Sequence, residues 1–202
     1  MISFIYATIP EARPFIDKVG IPIDSKIAYP FHYECKVGSN KFIFSISGIG
    51  ISLAKKCTIE LMERYPVQHV YNIGICGMVN DALSINELYC VSKALFWQGS
   101  DQGINRQSFT CKPEFFDKKK HVTLATCTKP VFDSGLRKKI ALYADIVDME
   151  GAAIAEVCSN NSVACTLIKG VSDGADKAVK KTLHENMKFL SKRMTEIIWD
   201  NL

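Results

Sequence analysis

Glu11, Glu150 and Asp173 each stand where a predicted strand gives way to a turn or a helix. In an α/β chain that edge is where ligands bind. Carboxylates gathered there without a metal suit acid–base cleavage of a glycosidic bond. One acid protonates the leaving group and another activates water. Glycine turns at Gly48–Gly50 and Gly74–Gly77, and the aromatics Phe96, Trp97 and Phe132, complete the set. No Ser/His/Asp order for a nucleophilic triad accompanies them. The histidines (His32, His69, His121, His184) are too scattered for metal-ligand spacing, so the sequence predicts neither a metal site nor a cofactor.

The stretch that must position these groups runs from Ile146 to Cys158, a short apolar strand leading into an amphipathic helix. Asp148, Met149 and Glu150 lie at the junction, followed by the small residues Gly151, Ala152 and Ala153. Taken alone, Glu150 reads as a first-turn acid favoured by the helix dipole, and Asp148 as a strand-end cap. A second acidic turn changes the balance, because residues 172–176, Ser-Asp-Gly-Ala-Asp, close another apolar strand. Within that turn Asp176 is predicted to cap the last helix, while Lys169 and Ser172 are placed to tune Asp173. Glu11 is read equally well as a helix-start acid and as a site residue.

The remaining elements follow from periodicity. Residues 2–8 form a buried strand, and Pro10 suits the start of the next helix. Residues 31–37 and 42–47 flank Gly38-Ser39-Asn40 as a hairpin. A helix spans about 52–64, and strands span 67–75, 88–97, 122–127 and 164–171. Asp133 or Ser134 caps a helix to about residue 143. Residues 98–120 read as a long irregular loop beside the pocket. In the last helix, residues 177–199, an apolar stripe through Leu183, Met187, Leu190 and Met194 reads as core. Strand–Gly-x-Gly–helix at 47–52 is a weak dinucleotide signal, since the third glycine is missing. A tight turn bringing N–H groups to a small ligand fits better. Strands alternating with helices predict a three-layer α/β/α fold with a central mixed, largely parallel sheet, in a single domain over 1–202.

Composition narrows the function classes. A formal charge of +4 over 202 residues is too mild to imply nucleic acid or a membrane surface. No apolar run reaches the ~20 residues of a membrane span, and residues 2–6 read as a strand rather than a signal sequence. Eight scattered cysteines, mostly in apolar runs, read as buried reduced thiols of a cytoplasmic protein.

In this order along the chain, Ala7 to Glu11, Ser47-Gly48-Ile49-Gly50, Gly74-x-Cys76-Gly77, Asp148-Met149-Glu150-Gly151-Ala152-Ala153 and Ser172-Asp173-Gly174-Ala175-Asp176 resemble the nucleoside phosphorylase superfamily. Within it they look like the nucleosidases acting on 5'-methylthioadenosine and S-adenosylhomocysteine. Residues 128–150 also resemble a branch that includes hopanoid-associated nucleosidases. The resemblance implies roles. Asp173 would protonate N7 of a purine, Glu150 would grip the ribose hydroxyls with Met149 against the sugar, and Glu11 would orient or deprotonate water. Phe132 would stack on the base, and Ile49, Cys76, Gly77 and Ser172 would complete the substrate wall. The partner implied is a small nucleoside substrate, with a homodimer as the assembly.

Departures from that pattern bear on the nucleophile. Phosphorolytic members usually carry Arg where this chain has Asn72, Ser where it has Ile75, and an arginine-bearing loop near Glu11. All three differences remove phosphate contacts and favour water. Ile75 also departs from the usual nucleosidase Ser, which leaves the standard substrate open, and the sequence does not name the 5' substituent. A phosphorylase with an atypical anion site and a non-catalytic nucleoside-binding protein are the alternatives.

Overall fold

The computed structural model describes residues 1–24, 26–97, 107–175 and 180–201. The chain runs β1 (Ile2–Tyr6), α1 (Ile9–Val19), β2 (Phe31–Val37), β3 (Asn40–Ile46), α2 (Ile51–Arg64), β4 (His69–Met78), β5 (Leu88–Trp97) and β6 (Ser108–Thr110). A 3-10 turn at Lys118–Lys120 follows. Then come β7 (His121–Cys127), α3 (Ser134–Ala141), β8 (Ile146–Asp148), α4 (Gly151–Asn160), β9 (Ala164–Asp173) and α5 (Lys180–Trp199).

Alternation along β1 shows how the sheet divides the core. Phe4 and Tyr6 pack with α1 and α5, in a cluster holding Phe15, Leu190 and Met194. Ile5 faces the other way, into a cluster with Leu61 of α2 and Ile154 of α4. The sheet is thus covered on both faces, as the sequence predicts. Its order is β2-β3-β1-β4-β8-β7-β5-β6, and β9 pairs with both β4 and β5. β4, β8, β7, β5 and β9 therefore close on themselves. Five pairings among the described residues are parallel and four antiparallel, so the sheet is mixed. The antiparallel β5–β9 and β4–β8 pairs are invisible to a strand-helix alternation argument, because the short β8 lies in register with only Gly77 and Met78 of β4.

Three expectations need correction. Residues 74–77, read as a glycine turn, belong to β4 and pair with β9, with a register shift between Cys76 and Gly77. The segment predicted as a loop over 98–120 contains β6, paired with β5, and the 3-10 turn. Residues 98–106 of it lie outside the described residues. Its described part is fastened to the sheet, with Lys112 N–H donating to the Cys165 carbonyl at 2.7 Å, and it does not line the site. The α5 stripe is only partly core. Leu190 and Met194 are buried, but Leu183 and Met187 face a cavity. The predicted cap Asp176 and the helix start before residue 180 fall outside the described residues. No described helix is long and apolar enough to cross a membrane.

Candidate active site

The C-terminal ends of β1, β4, β8 and β9, with the starts of α1 and α4, enclose a cavity of about 330 Å³. That volume is within the ~300–1,000 Å³ of small-molecule sites. All nine residues singled out for the site line it: Glu11, Ile49, Cys76, Gly77, Phe132, Met149, Glu150, Ser172 and Asp173.

Glu11 enters from the first turn of α1. Thr8 is the N-cap, and the pair forms a capping box. Glu11 Oε2 accepts from Thr8 N–H at 3.0 Å and Thr8 Oγ1 at 2.8 Å, and Oε1 accepts from Ile75 N–H at 3.1 Å. A carboxylate offers about four lone-pair sites, so one remains for a water in the cavity. Burial pushes the Glu11 pKa up, against the bonds from Thr8 and Ile75 and the charge of Lys169. Glu11 is therefore both cap and wall, and the two sequence readings are not exclusive. A Cβ on Gly74 would lie 2.9 Å from Glu11 Oε1, so glycine makes room for the carboxylate.

Glu150 occupies the N-cap position of α4, yet its carboxylate does not bond its own helix. Asp148 performs that task, accepting from Gly151 N–H at 2.9 Å. Glu150 Oε1 accepts instead from Gly50 N–H at 2.6 Å. Gly50 has φ +103°, a backbone that side-chain-bearing residues rarely adopt, and this turn aims its N–H into the site. Burial first, then the neighbouring Asp148 charge, raises the Glu150 pKa to about 7.

Asp173 ends β9 on the far wall. Ser172 Oγ approaches its Oδ2 at 2.7 Å, and Ala175 N–H donates to Oδ1 at 2.8 Å. A Cβ on Gly77 would sit 3.0 Å from Asp173 Oδ1, so a side chain there would crowd that carboxylate. Ser172 thus orients Asp173 as the sequence suggests. Lys169 does not: its Nζ lies 2.8 Å from Asp148 Oδ2.

The aromatics divide. Phe132 lies on the cavity wall and is 51 % exposed. Phe96 packs edge-on against Phe109 at 6.0 Å, and Trp97 is buried beside α3; neither reaches the cavity. Asn72 is buried and donates to the Ile5 carbonyl at 3.1 Å, so it faces the sheet rather than a ligand. Arg13 pairs with Asp17 one turn away, on the surface. Among the described cavity residues the one cation is Lys129, against Glu11, Asp148, Glu150 and Asp173. Thr8, Lys129 and Met187 are cavity residues that the sequence analysis does not single out. The Thr8-x-x-Glu11 capping pattern was a usable signal for Thr8; nothing local marks Lys129 or Met187.

A sequence model of the phosphorylase superfamily matches residues 4–200. The chain belongs to that superfamily. Among its relatives, the 5'-methylthioadenosine/S-adenosylhomocysteine nucleosidase of Buchnera aphidicola subsp. Acyrthosiphon pisum is 26% identical, covering 89% of each chain. The aminodeoxyfutalosine nucleosidase of Campylobacter jejuni is 22% identical, covering 86% of each. The superfamily fold recurs in the Helicobacter pylori 5'-methylthioadenosine/S-adenosyl homocysteine nucleosidase, with a TM-score of 0.84 at 18% identity, over 100% of this chain and 98% of that one. It recurs again in the futalosine hydrolase of the same organism, with a TM-score of 0.82 at 17% identity, over 100% and 97%.

Proposed function

We propose that the protein is a nucleosidase that hydrolyses the bond between base and ribose in an adenosine-type nucleoside. The observation that carries this reading is that Glu11 of α1, Glu150 just before α4 and Asp173 of β9 meet, with Asp148, in one cavity whose described lining holds no arginine. An anionic wall suits an oxocarbenium-like transition state and repels phosphate. In this reading Asp173 gives its proton to the departing purine, which takes the glycosidic electron pair. Water bonds to the anomeric carbon and its proton passes to Glu11. Glu150 accepts hydrogen bonds from the ribose hydroxyls, and Phe132 stacks on the base.

The nucleosidase names of the relatives support the same activity. Ile49, Ile75, Met149 and Met187 make part of the wall apolar, which favours a substrate with an apolar 5' substituent such as methylthio. Eight free cysteines support a cytoplasmic setting. The exposed apolar Ile49 and Phe132 at the cavity suit coverage by a second copy in a homodimer. Sedimentation at the 22.5 kDa of one chain would remove the dimer.

The deciding assay follows 5'-methylthioadenosine with and without phosphate. The expected products are adenine and free methylthioribose at a rate independent of phosphate. A methylthioribose-1-phosphate product would show a phosphorylase instead, and binding without turnover a non-catalytic protein.

A further inference from the structure

Among the described residues Lys169 is the one lysine in the buried core, 2 % exposed, and the reaction described above gives it no task. An unpaired ammonium in such a place is costly, so its partners indicate its work. Its Nζ sits 2.8 Å from Asp148 Oδ2. Asp148 in turn accepts from Thr126 Oγ1 at 2.6 Å and Gly151 N–H at 2.9 Å, and Thr126 Oγ1 accepts from Ala152 N–H at 2.8 Å. Lys169, Asp148 and Thr126 therefore grip the first turn of α4, immediately after Glu150. The ammonium also stands behind the Glu11 wall. The point where a Gly74 Cβ would fall is 3.8 Å from Lys169 Nζ and 2.9 Å from Glu11 Oε1.

We propose that Lys169 is the positioning residue of the site: through Asp148 it fixes the turn that presents Glu150, and its charge lets Glu11 and Glu150 be negative together in a buried wall. The second half of the role rests on the nucleosidase reading, in which both acids act as carboxylates. The ionisable groups facing Lys169 are Glu11 from α1, Cys76 from β4, Cys111 after β6, Asp148 from β8, Glu150 at the start of α4 and Cys165 from its own strand. The thiols are pushed toward their neutral form, so the charge balance is one lysine against three acids. Burial works against the lysine's charge, but Asp148, Glu150 and Glu11 outweigh it and hold its pKa above the ordinary value.

The test uses the full chain with Lys169→Met and Asp148→Asn, reading the pH profile of kcat/KM for 5'-methylthioadenosine and the melting temperature against pH. Losing an opposite charge at close range raises a carboxylic acid's pKa by ~1–3 units. Lys169→Met should move the acid limb up by at least about one pH unit, a loss of about tenfold at a pH below the limb. Asp148→Asn removes a like charge and leaves Lys169 to the other two acids, so its limb should move down. An unmoved limb in either folded variant overturns the proposal, and Asp148→Asn decides alone if Lys169→Met does not fold. The melting arm needs no turnover and stands even if the nucleosidase reading fails. The deficit of Lys169→Met should widen from pH 5 to pH 8, as the acids ionise; a constant deficit means that the lysine only fills space, and overturns it too.

Discussion

Replacing Glu150 by Gln should stabilise the protein at alkaline pH and leave its stability unchanged in acid. Gln keeps the oxygen that accepts from Gly50 N–H at 2.6 Å, so the substitution removes charge and little else. In the folded protein the carboxyl has a pKa of about 7 against an ordinary 4.5. Below pH 4.5 it is protonated in both folded and unfolded chains, and Glu and Gln are equivalent. Between pH 4.5 and 7 the unfolded chain releases the proton while the folded one retains it, so wild-type stability falls as pH rises. Above pH 7 the folded protein bears the whole cost of the buried charge. With each tenfold change in acidity worth ~1.4 kcal/mol, that cost is about 3 kcal/mol. For a chain of this size, ~2–4 °C per kcal/mol makes it a gain of about 6–12 °C for Glu150→Gln at pH 8. Melting curves of both proteins from pH 4 to 9 measure it. Equal melting temperatures at pH 8, or a gap that does not close toward pH 4, would refute the placement of Glu150 as a charge held against its environment.

The same residue should make the enzyme reject 2'-deoxynucleosides, because a buried carboxylate left without its hydroxyl partner is penalised; equal kcat/KM for ribo and 2'-deoxy substrates would exclude the ribose role. Asp173→Asn should cost ~3 kcal/mol or more in kcat/KM with adenine nucleosides, as expected for loss of a general acid, but much less with a ribosyl nitrophenol ether, whose leaving group departs unprotonated. Glu11→Gln should slow both substrates, since both require water. An Asp173→Asn protein that melts earlier yet turns over normally would reduce Asp173 to a turn cap.

The parts of the site legible in the sequence are those specified by neighbours along the chain. Gly-bearing strand ends and the acids after them mark Glu11, Glu150 and Asp173 as edge residues, and Ser172 lies next to the group it orients. What could not be read depends on register across the sheet. Along the sequence Lys169 is placed to serve Asp173, four residues on, but the parallel β4–β9 pairing and the placement of β8 beside β4 bring it to Asp148 instead. Glu150 reads as a cap because it occupies the cap position; the N–H it receives is supplied from 100 residues away. β6 is not legible in the sequence because its three residues have no periodicity of their own and are strand only by pairing with β5.

The capping box at the start of α1 has a consequence for how such an enzyme can change. Glu11 secures a helix end with the same oxygens that border the substrate cavity. Selection for tighter folding and selection for a different nucleophile therefore compete for one side chain, and drift at position 11 is penalised twice. Asp173 carries less of the fold: its oxygens meet a Ser172 hydroxyl and one backbone N–H, contacts that a modest rearrangement of the turn can rebuild around the same carboxylate. In the proposed nucleosidase reading, new substrate preferences should accordingly accumulate on the Asp173 side of the cavity, while the Glu11 side stays fixed by the architecture that supports it.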